Sequence, residues 1–231
     1  MTTSATPQVR TRSAFRERFS ATELMISIFL LVATFPFVED MRGGELIISI
    51  LFTLVLVCGV LVTAGHRRVL WAAVLLAGPT LLARWISHYR PDLVPTEVFL
   101  VGEILFVLLV ITTLLRFILT APSVDREVLC ASIAAYLLLA LVWAIAYQLV
   151  AELVPNAFAF NIAGAGDKSI EGFNGIYFSL ITLCTVGYGD ITPIAKAARI
   201  LAALEAVTGL LYVAVLIARL VAVQASPKSS S

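Results

Sequence analysis

The stretch Phe173-Asn174-Gly175-Ile176-Tyr177-Phe178-Ser179-Leu180-Ile181-Thr182-Leu183-Cys184-Thr185-Val186-Gly187-Tyr188-Gly189-Asp190 decides how this chain folds. Its first part, 173–184, is apolar and helix-compatible. A helix needs about 20 such residues to cross a bilayer, so this one suits a re-entrant segment that enters and turns back. The residues that follow carry glycine at alternate positions and are poor helix formers. Non-helical backbone at membrane depth is tolerated only where protein buries it or where it lines a water-filled path. Gly187 and Gly189 permit backbone angles that other residues resist, and such alternation turns successive carbonyls to the same side. Several copies around one axis would stack those carbonyls into rings that replace the water around a dehydrated cation. Thr185 offers a hydroxyl at the inner end of that path. Asp190 sets an acid at the outer end, where it raises the local cation concentration.

The rest of the chain has the composition of a membrane protein. Of its 231 residues, 60% are hydrophobic and 13% are charged, against about 25% charged in soluble domains. A mean hydropathy of +0.99 agrees. So little polar surface excludes a soluble globule. A net charge of +1 gives no reason to expect a nucleic-acid partner. Cys58, Cys130 and Cys184 lie in apolar runs, without metal-site spacing or a disulfide framework. Cys184 reads as a packing residue, with a redox-sensing thiol as the alternative.

Four clean apolar runs, 46–64, 69–86, 98–119 and 128–150, are long enough to span. Pro79 can kink the second of them. A longer run, 197–223, is interrupted by Arg199, Glu205 and Arg219. A shorter one, 24–38, contains Pro36 and follows Arg10, Arg12, Arg16 and Arg18. It resembles a secretory signal but lacks a small-residue cleavage site, so it reads as a retained helix, with a cleaved signal as the alternative. The expected fold is an all-α membrane protein of six transmembrane helices, with a re-entrant helix and loop between the fifth and sixth. With the N-terminus in the cytoplasm, bases favour the inside and acids such as Glu39, Glu45, Glu152 and Glu171 gather outside. Both termini are then cytoplasmic, and the protein is a multi-pass component of the cell membrane. The chain divides into a basic cytoplasmic segment (1–22), a four-helix membrane domain (23–120), a pore domain (121–225) and a short cytoplasmic tail (226–231) with no soluble regulatory domain. Around Arg12, Phe15, Arg16 and Phe19, an amphipathic helix on anionic membrane lipid and a disordered basic tail both remain open.

Residues 185–190 resemble the selectivity filter of the potassium channel family, whose letters T-V-G-Y-G they carry in order. The resemblance covers 128–223 well. Over 22–120 it extends only to the count of four extra helices. It implies that the backbones of Thr185, Val186, Gly187, Tyr188 and Gly189 bind permeant K⁺, the ion sites lying at Thr185 to Tyr188, with no other cofactor. It further implies that Tyr177 braces Asp190, with Thr182 nearby. Ile181 departs from family members that place a buried glutamate behind the filter, so bracing must be lighter or come from Glu205. Gly209, 19 residues after Asp190, matches the hinge glycine of the inner helix. Leu210, Val213, Ile217 and Val221 would then face an apolar cavity able to gate by dewetting.

Glu205 is harder to place. A charge deep in the bilayer costs roughly 2.5–3.5 kcal/mol, so it should face protein or water. One reading bonds it to the pore helix, tuning the filter; the other lets it, as carboxylate or as protonated acid, reach the outer aqueous vestibule. The fourth helix holds only Arg116 as a base. At about 2.3 kcal/mol per charge per 100 mV, steep voltage gating needs several mobile charges per subunit. The expectation is therefore a potassium-selective channel with weak or no intrinsic voltage dependence. One loop per chain makes it a homotetramer, since a carbonyl ring needs four. A nonselective cation channel and a non-conducting accessory subunit are the alternatives. Paired carboxylates, a nucleophile with its base and a phosphate loop are all missing from the sequence, so the chain does not read as an enzyme.

Overall fold

A computed structural model describes residues 8–39, 41–65, 67–89, 96–161 and 169–225. In chain order these form α1 (Gln8–Val38), α2 (Gly44–Val62), α3 (Arg67–Tyr89), α4 (Thr96–Thr120), α5 (Arg126–Leu153), β1 (Phe158–Phe160), α6 (Gly172–Leu183), β2 (Ile191–Pro193) and α7 (Lys196–Ala225). Residues 1–7 of the basic segment and the tail 226–231 lie outside the described residues.

Five helical segments among the described residues are long and apolar enough to cross a membrane: Ala21–Val38, Gly44–Val62, Thr96–Thr120, Arg126–Leu153 and Lys196–Val223. The 12-residue α6 is too short to do so. α3 runs 23 residues through Pro79. The proline removes one backbone donor, and the Thr80 hydroxyl beside it donates to the carbonyls of Leu76 (3.1 Å) and Ala77 (2.9 Å).

Two features correct the sequence reading. α1 runs as one continuous helix across residue 22: nothing between Gln8 and Pro36 is glycine or proline, and its stretch long and apolar enough to cross a membrane begins at Ala21. Backbone at 8–20 is therefore helical, which removes the disordered-tail alternative there. The fold is also not purely helical. β1 and β2 pair antiparallel, with Phe158 opposite Pro193, Ala159 opposite Thr192 and Phe160 opposite Ile191. Three residues per strand give too short a pattern for alternation to register.

α5 is the hub. It packs on α1, α4, α6 and α7, and 67% of its span is buried within the protomer. Asp125 caps its start, accepting from the Val128 N–H at 3.1 Å. Buried small residues, Ala131, Ala134, Ala135 and Ala144, let neighbouring backbones approach, as packing between membrane helices favours. The joint between α1 and α2 is tight: Met41 N–H donates to Val38 O and Gly44 N–H to Met41 O. Glycine is required at 44 because a Cβ there would lie 1.7 Å from Val38 O. Above α6, the rings of Tyr147, Phe158 and Phe178 meet edge-on with centroids 4.9–5.7 Å apart. They fix β1 and the middle of α6 to α5.

α7 differs from all of these. Only 11% of its span is buried, and Leu210, Leu211, Val215, Ile217 and Val221 are exposed on the single protomer.

Candidate functional site

α6 ends at Leu183, and its last carbonyls have no partner within the helix. The chain that follows supplies the donors. Thr185 N–H bonds Thr182 O (2.9 Å), while the N–H groups of Val186 (2.8 Å) and Gly187 (3.2 Å) share Ile181 O. Thr182 thus supports the segment through its carbonyl. The backbone then alternates. Thr185 (φ 57°), Gly187 (φ 54°) and Gly189 (φ 80°) occupy the left-handed region, and the residues between them do not. Threonine there costs about 1–2 kcal/mol, so its conformation is imposed by the bonds on either side. The two glycines made alternation legible in the sequence; no rule flags Thr185. On the protomer Thr185, Val186, Gly187, Tyr188 and Gly189 are all exposed.

The end of the segment at Asp190 is braced from two directions. Tyr177 Oη donates to Asp190 Oδ2 at 2.6 Å, and Ile191 N–H donates to Oδ1 at 3.0 Å. Both carboxylate oxygens are held. From the loop after β1, Asn161 N–H donates to Asp190 O (2.7 Å) and its side-chain amide to Gly189 O (3.0 Å). Asn161 was not legible as a site residue; it stands directly after the apolar Phe158–Phe160, where loop polarity is ordinary. Glu39 was likewise invisible. From the end of α1 it accepts the Phe173 N–H at 3.1 Å, setting a carboxylate at the start of α6.

Behind the segment lies Glu205. It is fully buried, and its carboxyl bonds Tyr147 Oη of α5 and Ser179 Oγ of α6. The reading that sent it to an aqueous vestibule is overturned, since protein surrounds it. Glu103 of α4 is also buried. Ile181 is buried beside the segment, with its carbonyl already engaged as above.

Beyond the end of α6, one expectation changes. Cys184 is exposed on the protomer, its sulfur 3.4 Å from Tyr136 Oη, so it does not pack into the apolar core. α7 runs unbroken through Gly209, which is buried against the end of α6: a Cβ there would lie 2.2 Å from Leu183 O. The glycine permits close approach of two backbones at the position expected to hinge. Leu210, Val213, Ile217 and Val221 stand exposed on α7.

A family described as Ion channel matches residues 135–225, from the middle of α5 to the end of α7. Among curated proteins, the chain is 39% identical over 57 residues to two pore potassium channel b of Oryza sativa subsp. japonica, covering 23% of this chain and 16% of that one. It is 30% identical over 87 residues to two pore potassium channel c of the same organism, covering 38% and 19% respectively. The matched stretches span less than a fifth of the length of these relatives. No solved structure matches significantly. With five helices long and apolar enough to cross a membrane, this chain is a multi-pass membrane protein whose residues 135–225 match an ion-channel family and which is similar, over short stretches, to two proteins named potassium channels.

Proposed function

We propose that the chain is one subunit of a homotetrameric, potassium-selective channel that conducts passively and with little intrinsic voltage dependence. The observation that carries this reading is the left-handed alternation at Thr185, Gly187 and Gly189, clamped between the α6 carbonyls and the Tyr177–Asp190 pair. Alternation of this kind directs successive carbonyls toward one line, where Thr185, Val186, Gly187 and Tyr188 would coordinate dehydrated K⁺ in a fourfold ring. In this reading α6 is re-entrant and α3 is the sixth span, with both chain ends in the cytoplasm of a cell-membrane protein. The exposed apolar face of α7 supports assembly, because a conducting ring would line its axis with Leu210, Val213, Ile217 and Val221.

Purified protein in liposomes tests it directly. About a thousandfold preference for K⁺ over Na⁺ corresponds to roughly 4 kcal/mol. Reversal potentials under bi-ionic conditions should report a preference of that order. Equal permeability would leave a nonselective pore, and silence in every condition would favour an accessory subunit.

Voltage dependence follows from α4, whose basic residue is Arg116. Arg116→Gln should leave the current–voltage relation unchanged; a steep activation curve that collapses in this variant would refute the proposal. Tyr177→Phe removes a hydrogen bond to a carboxylate, an interaction worth about 1.5–3 kcal/mol. K⁺ current in this variant should decay faster after activation and recover more slowly, read from macroscopic recordings. Wild-type time courses would mean that Asp190 is held adequately without the phenol.

A further inference from the structure

Ser179, Glu205 and Tyr147 are each fully buried, on three different helices. Ser179 Oγ lies 2.7 Å from the carbonyl oxygen of Ala140 and in hydrogen-bond contact with Glu205 Oε1. Tyr147 Oη is in hydrogen-bond contact with Glu205 Oε2. Hydrogen counting constrains this arrangement. A serine hydroxyl carries one proton, and a backbone carbonyl only accepts. Were Glu205 ionised, Ser179 would face two acceptors with a single proton, and one of its two close contacts would be oxygen against oxygen with no hydrogen between.

We infer that Glu205 is a neutral carboxylic acid whose proton, carried on Oε1 and donated to Ser179 Oγ, ties the pore helix α6 to α7. Every proton is then used once. Tyr147 donates to Oε2, Oε1 donates to Ser179, and Ser179 donates to Ala140 O on α5. The chain of bonds joins all three helices without a buried charge, whose desolvation in this setting would require a paired cation. The hydrogen-bond partners of Glu205 among the described residues are neutral, and Tyr136, which also faces it from α5, is no cation either. Glu205 is thus a positioning residue: it acts on the conducting segment through α6, which ends two residues before Thr185. The assignment rests on proton balance, so it stands or falls separately from potassium selectivity.

Infrared difference spectra of the full-length protein in liposomes, wild type minus Glu205→Gln, test the inference. A carbonyl stretch of a protonated carboxylic acid, shifted in D₂O, should be present in wild type and lost in the variant. A difference spectrum containing only carboxylate bands would overturn it. Should E205Q not assemble, Tyr147→Phe provides the second reading. Removing the donor on Oε2 should move the acid band to higher frequency, and an unmoved or absent band would equally overturn the assignment.

Discussion

Gly187→Ala is expected to abolish potassium-selective flux while leaving the proposed tetramer assembled. Gly187 holds φ 54°, and nothing in the protomer lies within 4 Å of the position a Cβ would take. The penalty is therefore conformational, about 1–2 kcal/mol per subunit for an L-residue in the left-handed region, and it recurs four times around the proposed ring. Alanine can escape it only by returning to negative φ, which rotates a flanking carbonyl away from the axis and deletes a full ring of ligands. Thr185 already tolerates the same region, but it is tied down by Thr182 O at its own N–H and by Ile181 O at the next. Gly189 has Asn161 on its carbonyl. Gly187 shares one acceptor with Val186 and is the looser of the three. Gly43→Ala is the control: its φ is 85°, its Cβ also meets open space, and it lies in the joint before α2, far along the chain from the conducting segment. Its conformational penalty should be similar, yet bi-ionic reversal potentials should stay at wild type. Selective flux surviving in G187A would show that carbonyl alternation is not what conducts.

What the sequence disclosed and what it withheld divide along chain separation. The segment 185–190 was readable because its determinants are adjacent: a short apolar helix, then glycines two apart, then an acid. The Tyr177–Asp190 bond, 13 residues apart, came through the family resemblance. Interactions that cross the molecule were not readable. Glu205 stood out as a buried-charge puzzle, but its partners lie 26 and 58 residues away and neither is a charge that a pattern search would pair with it. Glu39 reaches Phe173 across 134 positions, and in sequence it is one more acid in an outer loop. Cys184 misled for a related reason. Its apolar neighbours argued for packing, but the helix ends there and the left-handed turn at Thr185 leaves the side chain facing away from the core.

Gly209 carries the second large prediction. Its spacing from the filter suggests a hinge, whereas its surroundings require the absence of a side chain. A Cβ at 209 would lie 2.2 Å from Leu183 O, 3.0 Å from Leu183 Cδ1 and 3.1 Å from the Leu183 carbonyl carbon. The first and last are backbone atoms, so no rotamer change relieves the overlap. Either α7 moves outward or the end of α6 moves, and Thr185 follows directly from that end. Overpacking a tight contact costs about 1–3 kcal/mol when side chains can adjust; here they cannot, and the strain repeats in each subunit. Gly209→Ala should therefore lower the melting temperature of the assembled protein and cut K⁺ flux at least tenfold, with Gly209→Val failing to assemble. A pure hinge makes a different forecast. Alanine favours continuous helix over glycine by about 1 kcal/mol, so the variant would melt no earlier and would change only the fraction of time the pore is open. Thermal unfolding followed by size-exclusion chromatography, read beside single-channel amplitude, separates the two. A G209A protein with unchanged melting and wild-type amplitude would return the hinge and remove close approach as the reason for glycine at this position.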